Sequence, residues 1–291
     1  MSRLDEDSAG KSLPKQHKAS HSNNVFKSDG KFTHQQEKER LSTGSKNLDD
    51  LLSGGLETGA ITQFYGASNT GKTHLCHLLC VVLPSKYHAI YIDTEGGFRE
   101  EKIESIATAR RLDWTSILSN IQVLQPKDSK QQESHIEDAC SIVKSSDPKV
   151  KLLIVDSMMF HYIAEYPGRA GLSKRAHSLN INMHMLHNLA QTKNIAVLIT
   201  NQSTSNPRHG EFEANIPQPY GGKVISNTST YIVNLECGGG YFASNINARL
   251  IKSPLSSFNS RPLKIVESGF VDEVPNHLSE NGEDVAGGLD E

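Results

Sequence analysis

The sequence predicts an α/β fold, in which a mainly parallel central sheet is flanked by helices and continues into a C-terminal antiparallel hairpin extension. Three observations carry this prediction. Between two polar chain ends, short apolar runs alternate with helical patterns, which is typical of a parallel sheet covered by helices. A glycine-containing turn at 66–71 follows an apolar run and opens a helix. The last third has β-prone runs on both sides of Gly238, Gly239 and Gly240, which indicates a hairpin.

The elements follow in order along the chain. The runs that predict core strands are AITQFYG (60–66), HAIYIDTEG (88–96), NIQVLQ (120–125), KLLIVDS (151–157) and IAVLITNQ (195–202). The patterns that predict helices are THLCHLLCVVL (73–83), REEKIESIATARRL (99–112), QQESHIEDACSIVKSS (131–146) and SKRAHSLNINMHMLHNLAQTKN (173–194). Residues 228–254 contain the two runs of the predicted hairpin.

The turn after the first strand matches the pattern G-x-x-x-x-G-K-[ST] and lies between a strand and a helix, as phosphate binding requires. Its backbone N–H groups and the helix N-terminus attract phosphate oxygens. Lys72 is expected to reach the β and γ phosphates, and Thr73 to bind Mg²⁺. The predicted nucleotide-binding residues here are Gly66, Ala67, Ser68, Asn69, Thr70, Gly71, Lys72 and Thr73.

Acidic and amide residues stand where other predicted strands end. Asp156 is expected to hold the Mg²⁺ shell through water, since open parallel sheets bind ligands at the carboxyl ends of their strands. Either Asp93 or Glu95 could polarise the attacking water, and Glu95 is favoured because it lies one step beyond its strand. Gln202 is expected to bond the γ phosphate and to couple it to the polar loop that follows. Ordinary strand-end capping is the alternative for the carboxylates.

Composition limits the partners and the compartment. The 291 residues carry a formal net charge of -3 with 22% charged residues, so any nucleic-acid surface must be local. We expect a polar N-terminal arm (1–38), one core (39–274) and an acidic tail (275–291). The four cysteines lack C-x-x-C spacing, and no secretory or spanning segment is evident, so we expect reduced thiols in an intracellular, soluble protein with no membrane partner.

Several segments, taken in this order, resemble RecA-family recombinases, specifically the archaeal RadA/RadB and eukaryotic strand-exchange branch. They cover residues 40 to about 272 and comprise LSTGSKNLDDLLSGGLETGAITQFYG, the phosphate loop, YIDTEGGFREEKI, LLIVDS, AEYPGRAGLSKR, IAVLITNQ, QPYGGKVISNTSTYIVNL and ARLIKSP. The resemblance implies a RecA-like P-loop NTPase core that binds ATP and Mg²⁺ and acts on DNA in recombinational repair. It also implies roles for Glu95 as catalytic glutamate, Asp156 as metal-shell aspartate and Gln202 as γ-phosphate sensor, with Lys72 in the catalytic set.

The same resemblance implies two DNA-binding loops. The first corresponds to residues 160–173, with Arg169 and Arg175 at DNA-facing positions, and the second to 203–221. Gly221 and Gly222, at the end of the second loop, are also expected to bind DNA. Arginines there would contact backbone phosphates with little sequence preference. Ordinary surface charge is the alternative for both arginines. Single-stranded DNA is the expected partner, with double-stranded DNA bound more weakly.

Departures from the family pattern point to a RadB-like paralogue. Residues 1–40 are too short and polar for a helix-hairpin-helix domain, and the loop PSKYH after the first core helix is short. We therefore expect an accessory protein that works with a RadA-like recombinase or other repair proteins, with a homo-oligomer left open. The RadB likeness favours an archaeal cytoplasm, with a eukaryotic nucleus as the second interpretation.

One substitution lies in the segment that caps ATP on the neighbouring subunit in the family. Lys252 stands where RadA-like sequences have an aspartate before Ser-Pro. It is predicted to place an ammonium against the γ phosphate of that ATP.

Three functions are compatible with these motifs. The first is a DNA-binding recombinase paralogue with slow or DNA-modulated ATPase activity. The second is a nucleotide-gated interaction module, or recombination mediator, that hydrolyses little ATP. The third is a small-molecule kinase or regulatory ATPase, which would transfer phosphate without salt-dependent DNA affinity. Motif order beyond the phosphate loop favours the first.

Overall fold

A computed structural model of the protein describes residues 38–145, 149–204, 217–238 and 244–272. The predicted arm, apart from Lys38, and the predicted tail lie outside these residues. The strands are β1 (Arg40–Leu41), β2 (Leu56–Glu57), β3 (Ala60–Gly66), β4 (His88–Asp93), β5 (Ile121–Leu124), β6 (Val150–Asp156), β7 (Ala196–Gln202), β8 (Tyr231–Cys237), β9 (Asn245–Lys252), β10 (Asn259–Val266) and β11 (Gly269–Asp272). The helices are α1 (Lys46–Leu51), α2 (Lys72–Val82), α3 (Glu100–Ala109), α4 (Trp114–Ser119), α5 (Ser129–Ser145), α6 (Phe160–Glu165), α7 (Leu172–Lys193) and α8 (Gly222–Thr228).

The central sheet has nine strands in the order β11-β10-β9-β8-β3-β7-β6-β4-β5. All neighbours from β8 to β5 pair in parallel, whereas β8 with β9, β9 with β10 and β10 with β11 pair antiparallel. This arrangement confirms the predicted α/β class and its antiparallel extension. The extension is larger than the predicted hairpin, because β10 and β11 add a second one.

Helices bury both faces of the parallel part. One apolar cluster joins β3, β4, β8 and the extension to α1, α2 and α3, and the other joins β4, β6 and β7 to α5 and α7. All seven residues of β3 are buried, which explains why its sequence lacks polar alternation. Because these strands are parallel, the carboxyl ends of β3, β4, β6 and β7 lie at one edge of the sheet.

The two ends of the described chain are tied together by side chains. Asp272 accepts hydrogen bonds from the Ser45 hydroxyl at 2.7 Å and from the backbone N–H groups of Lys46 and Asn47, and so caps the start of α1. Arg40 forms an ion pair with buried Glu57. The described part of the chain contains no helix that is both long and apolar enough to cross a bilayer.

Candidate nucleotide site and adjoining loops

The turn between β3 and α2 is shaped by glycines that tolerate no side chain. Gly71 has φ 84°, and a Cβ atom there would lie 2.7 Å from Ile265 Cδ1 and 2.8 Å from Phe270 Cζ. A Cβ atom on Gly66 would lie 2.2 Å from the Leu235 carbonyl oxygen. The second glycine of the motif is therefore required by its positive φ and by packing, and the first by the close approach of β8.

Lys72 opens α2 and turns back over this loop. Its ammonium donates to the carbonyl oxygens of Gly66 at 3.0 Å and Ala67 at 2.7 Å. Burial lowers the pKa of Lys72, while the charges of Asp156 and Glu95 act in the opposite direction. The two carboxylates therefore lie close enough to the ammonium to interact with it.

Asp156 ends β6 and is almost fully buried, with 3% of its surface exposed. The Tyr91 hydroxyl of β4 donates to Asp156 Oδ2 at 2.8 Å, and the Thr200 hydroxyl of β7 donates to Oδ1. The hydroxyls of both neighbouring strands thus fix this carboxylate. With the Thr73 hydroxyl it would supply hard oxygen ligands of the kind that suit Mg²⁺, and the metal-binding role of these two residues stays a prediction.

Asp93 and Glu95 occupy different environments. Asp93 is buried and accepts hydrogen bonds from the backbone N–H groups of Gly97 at 2.8 Å and Phe98 at 3.1 Å, and from the Gln125 amide at 3.1 Å. Glu95 is exposed, and its carboxylate accepts a hydrogen bond from the Ser157 hydroxyl beside Asp156. Asp93 thus shapes the loop, whereas Glu95 is the accessible carboxylate near Lys72.

Gln202 stands directly beside the phosphate loop. In the parallel register of β3 and β7 it pairs with Gly66. The next backbone N–H, from Ser203, donates to the Gly66 carbonyl at 3.2 Å, and the Tyr220 N–H donates to the Gln202 carbonyl at 3.1 Å. The first stem of the second predicted DNA loop is therefore bonded to the phosphate loop, and the second stem is bonded to Gln202 beside it, although 205–216 lie outside the described residues.

The first predicted DNA loop is partly helical. Phe160 to Glu165 form α6, exposed Arg169 lies in the following turn, and Arg175 lies in the first turn of α7. The Arg175 guanidinium donates to the Tyr166 carbonyl at 3.1 Å, so this side chain also closes the loop.

The two loops meet at a glycine pair. Gly221 and Gly222 begin α8 with φ 86° and 55°. A Cβ atom on Gly221 would lie 3.1 Å from the sulfur of Met159, which precedes α6, whereas Gly222 faces open space. The start of the first loop therefore packs on the end of the second.

Lys252 lies away from the phosphate loop of its own chain. It pairs with Ile232 near the start of β8, at the opposite end from Leu235, which pairs with Gly66. Its ammonium donates to the carbonyls of Ser226 at 2.8 Å and Ser229 at 2.7 Å, at the end of α8. This position does not bring the Lys252 ammonium to the phosphate loop of its own chain, and its predicted contact with the nucleotide of a neighbouring subunit stays a prediction.

Sequence reasoning missed the polar residues that support the site. Tyr91, Ser157 and Thr200 fix the two carboxylates, and His77 connects α2 to the loop that carries Glu95. A weak signal exists for Thr200 and Ser157, because hydroxyl residues at the ends of otherwise apolar strands need partners when buried. Tyr91 and His77 give no such signal, since both fit ordinary core patterns.

A comparison with protein families agrees with this geometry. The family model described as Rad51 matches residues 34–273, which is most of the chain.

Proposed function

The chain belongs to the Rad51 family, RecA-like recombinases that bind ATP and act in DNA recombination and repair, and we propose that it is an ATP-dependent DNA-binding paralogue. Its proposed role is accessory, beside a full-length RadA-like recombinase or another repair protein. Single-stranded DNA is the preferred partner, and double-stranded DNA binds more weakly.

One observation carries this proposal. The carbonyl oxygen of Gly66 accepts hydrogen bonds from both Lys72 and the backbone N–H of Ser203. Lys72, the proposed phosphate-binding residue, and Ser203, the first residue of the second loop, thus share one hydrogen-bond acceptor. When Lys72 changes its hydrogen-bond partners, the hydrogen bond between Gly66 and Ser203 should change as well. Nucleotide-dependent DNA binding needs such a coupling between the phosphate loop and the second DNA loop.

The residues present divide the chemistry among them. Lys72 binds the β and γ phosphates, and Thr73 with Asp156 would hold Mg²⁺, which neutralises phosphate charge when bound. Glu95 orients the attacking water and takes its proton, with Ser157 aiming the carboxylate. Gln202 bonds the γ phosphate and shifts when this phosphate leaves, which moves the stems of the second loop. These stems are joined by a bridge between Ser203 and Pro219.

The experiment that tests the function is fluorescence anisotropy with single- and double-stranded oligonucleotides, at several salt concentrations, with ATP, ADP or no nucleotide. Arg169→Ala should weaken binding and reduce the salt slope for single strands by about 0.7, the share of one phosphate contact. Lys130→Ala, which removes an exposed charge from α5, is the matched control.

The outcomes separate the competing functions. DNA affinity that depends on the nucleotide and on Arg169 supports the paralogue. Nucleotide-dependent binding to a recombinase with negligible hydrolysis would favour the interaction module instead. DNA affinity that ignores which nucleotide is present would reject the proposal.

A further inference from the structure

One buried side chain outside the assigned set joins helix α2 to the loop that carries Glu95. His77 is 2% exposed. Its Nε2 accepts a hydrogen bond of 3.1 Å from the backbone N–H of Arg99, so this nitrogen carries no proton. Its Nδ1 therefore carries the proton and donates to the Thr73 carbonyl at 2.8 Å. The neutral imidazole thus bridges the phosphate-loop helix and the start of α3.

The segment 94–99 is fixed from two sides. Asp93 accepts the backbone N–H groups of Gly97 and Phe98, and His77 accepts the next one along the chain, from Arg99. These three consecutive donors are thereby satisfied by two side chains, one from β4 and one from α2. Glu95 lies within this segment, so the position of its carboxylate depends on how the backbone of the segment is held.

The same segment lies against the predicted metal residue. A Cβ atom on Gly97 would be 3.2 Å from the Thr73 methyl carbon. The His77 ring also stacks on Phe98, with 5.3 Å between ring centroids. We therefore expect a substitution at residue 77 to change the distance between the Glu95 loop and the Thr73 end of α2.

We infer that His77 is a positioning residue for ATP hydrolysis, which fixes the Glu95 loop against helix α2 through the Arg99 N–H. The inference rests on the proposed function, because it takes Glu95 as the group that acts on water. His77 itself contacts no substrate. Misplacing a reacting group by about 1 Å can lower a rate roughly 100-fold. Loss of the His77–Arg99 hydrogen bond should therefore have a measurable effect on the rate of ATP hydrolysis.

Three substitutions separate the hydrogen bond from the packing. His77→Gln extends an amide oxygen as far as Nε2 and keeps an acceptor for the Arg99 N–H. His77→Asn is polar but too short to reach it. His77→Phe keeps an aromatic ring on Phe98 and removes both hydrogen bonds.

The first measurement needs no nucleotide. Amide hydrogen exchange at Arg99 should be about 10-fold faster in His77→Asn and His77→Phe, and close to the unmutated rate in His77→Gln, because one hydrogen bond protects this group. Equal exchange in all four proteins would overturn the inference.

The second measurement is steady-state ATP hydrolysis with thermal unfolding beside it. His77→Asn and His77→Phe should lower kcat by roughly 10- to 100-fold with little change in the KM for ATP, and His77→Gln should restore most of it. A loss of kcat that follows the melting temperature alone, or equal losses in His77→Asn and His77→Gln, would reduce His77 to packing and overturn the inference.

Glu95→Gln, assayed in parallel, separates the two claims. If Glu95→Gln abolishes hydrolysis while the His77 variants hydrolyse normally, the proposed function stands and the positioning role fails. If Glu95→Gln hydrolyses ATP at the unmutated rate, the catalytic role of Glu95 and the positioning role of His77 both fail, whereas the DNA-binding function is decided separately by the anisotropy experiment.

Discussion

The Lys72 ammonium donates a hydrogen bond of 3.0 Å to the backbone carbonyl of Gly66. The lysine side chain thus lies across the glycine turn, and if Lys72 binds phosphate as proposed, its ammonium exchanges these carbonyl oxygens for phosphate oxygens. Since Gly66 also accepts from the Ser203 N–H, that exchange leaves one donor instead of two on this carbonyl.

Lys72→Ala should weaken binding of Mg-ATP about 10- to 100-fold, because a hydrogen bond to a charged group contributes about 1.5–3 kcal/mol. Isothermal titration calorimetry measures the dissociation constant. Lys130→Ala should bind ATP as the unmutated protein does. An unchanged constant for Lys72→Ala would contradict the assignment of the loop.

Glu95→Gln should keep ATP affinity and lower hydrolysis by about 10²- to 10⁴-fold, the range typical of a lost general base. Phosphate release under saturating ATP, with and without single-stranded DNA, gives the rate. Glu104→Gln, on exposed helix α3 surface, is the control for loss of charge. Equal rates in Glu95→Gln and the unmutated protein would favour the interaction module.

Asp93→Asn should lower the free energy of unfolding by about 2–3 kcal/mol, because its amide replaces one acceptor and leaves a backbone N–H without a partner. Urea titration checks this value. Exposed Glu95→Gln should change it by less than about 1 kcal/mol. If the two substitutions cost the same, the distinction between a loop-forming and an accessible carboxylate is wrong.

Stability in acid should depend on Glu57. Burial raises its pKa, but hydrogen bonds from Lys38 and Tyr231 and the charge of Arg40 lower it more strongly, so its folded-state pKa lies below the ordinary value. Its contribution is complete above the unfolded pKa of about 4.3 and is lost as the pH falls through the folded pKa.

The unfolding free energy should therefore decline as the pH falls from about 5 to 3, and Glu57→Gln should flatten that decline. Urea titrations at each pH provide the comparison, with Glu104→Gln keeping the original slope. Superimposable profiles for Glu57→Gln and the unmutated protein would refute the assignment.

The proposed contact of Lys252 with ATP on a neighbouring subunit leads to a prediction about how hydrolysis depends on monovalent cations. In the family that the chain resembles, the aspartate at this position is expected to act on the γ phosphate through a bound monovalent cation. If the Lys252 ammonium meets the γ phosphate of a neighbouring subunit instead, no such cation is needed, and the rate should be the same in sodium and potassium. Lys252→Ala should be slower and should also lose the contacts to Ser226 and Ser229 at the end of α8. Strong potassium dependence of the unmutated protein would exclude this role.

The sequence signals for β3, β4, β6 and β7 were strong because these parallel strands are buried on both faces. AITQFYG coincides with β3, and the predicted strand ends place Asp156 and Gln202 where the structure has them. Burial on both faces produces continuous apolar runs, and a helix that must cover them produces a clear amphipathic pattern. These local rules suffice to predict the parallel core.

The rest depends on contacts between distant segments. Short helices such as α1, with six residues, and α6, with six, have too few turns for a period to emerge. Strand β10 includes Pro262 and charged residues that argue against a strand, and it forms because β9 and β11 pair with it. Likewise, the hydroxyl of Tyr91 finds Asp156 only once β4 and β6 are adjacent.

The close approach of Phe270 to Gly71 means that the final hairpin packs directly against the phosphate loop and supports its shape. A chain truncated after β9 would keep every residue of the G-x-x-x-x-G-K-[ST] motif and yet lose the wall against which that glycine turns. The presence of the motif would then not be sufficient for nucleotide binding, since the shape of the turn also depends on residues almost two hundred positions downstream.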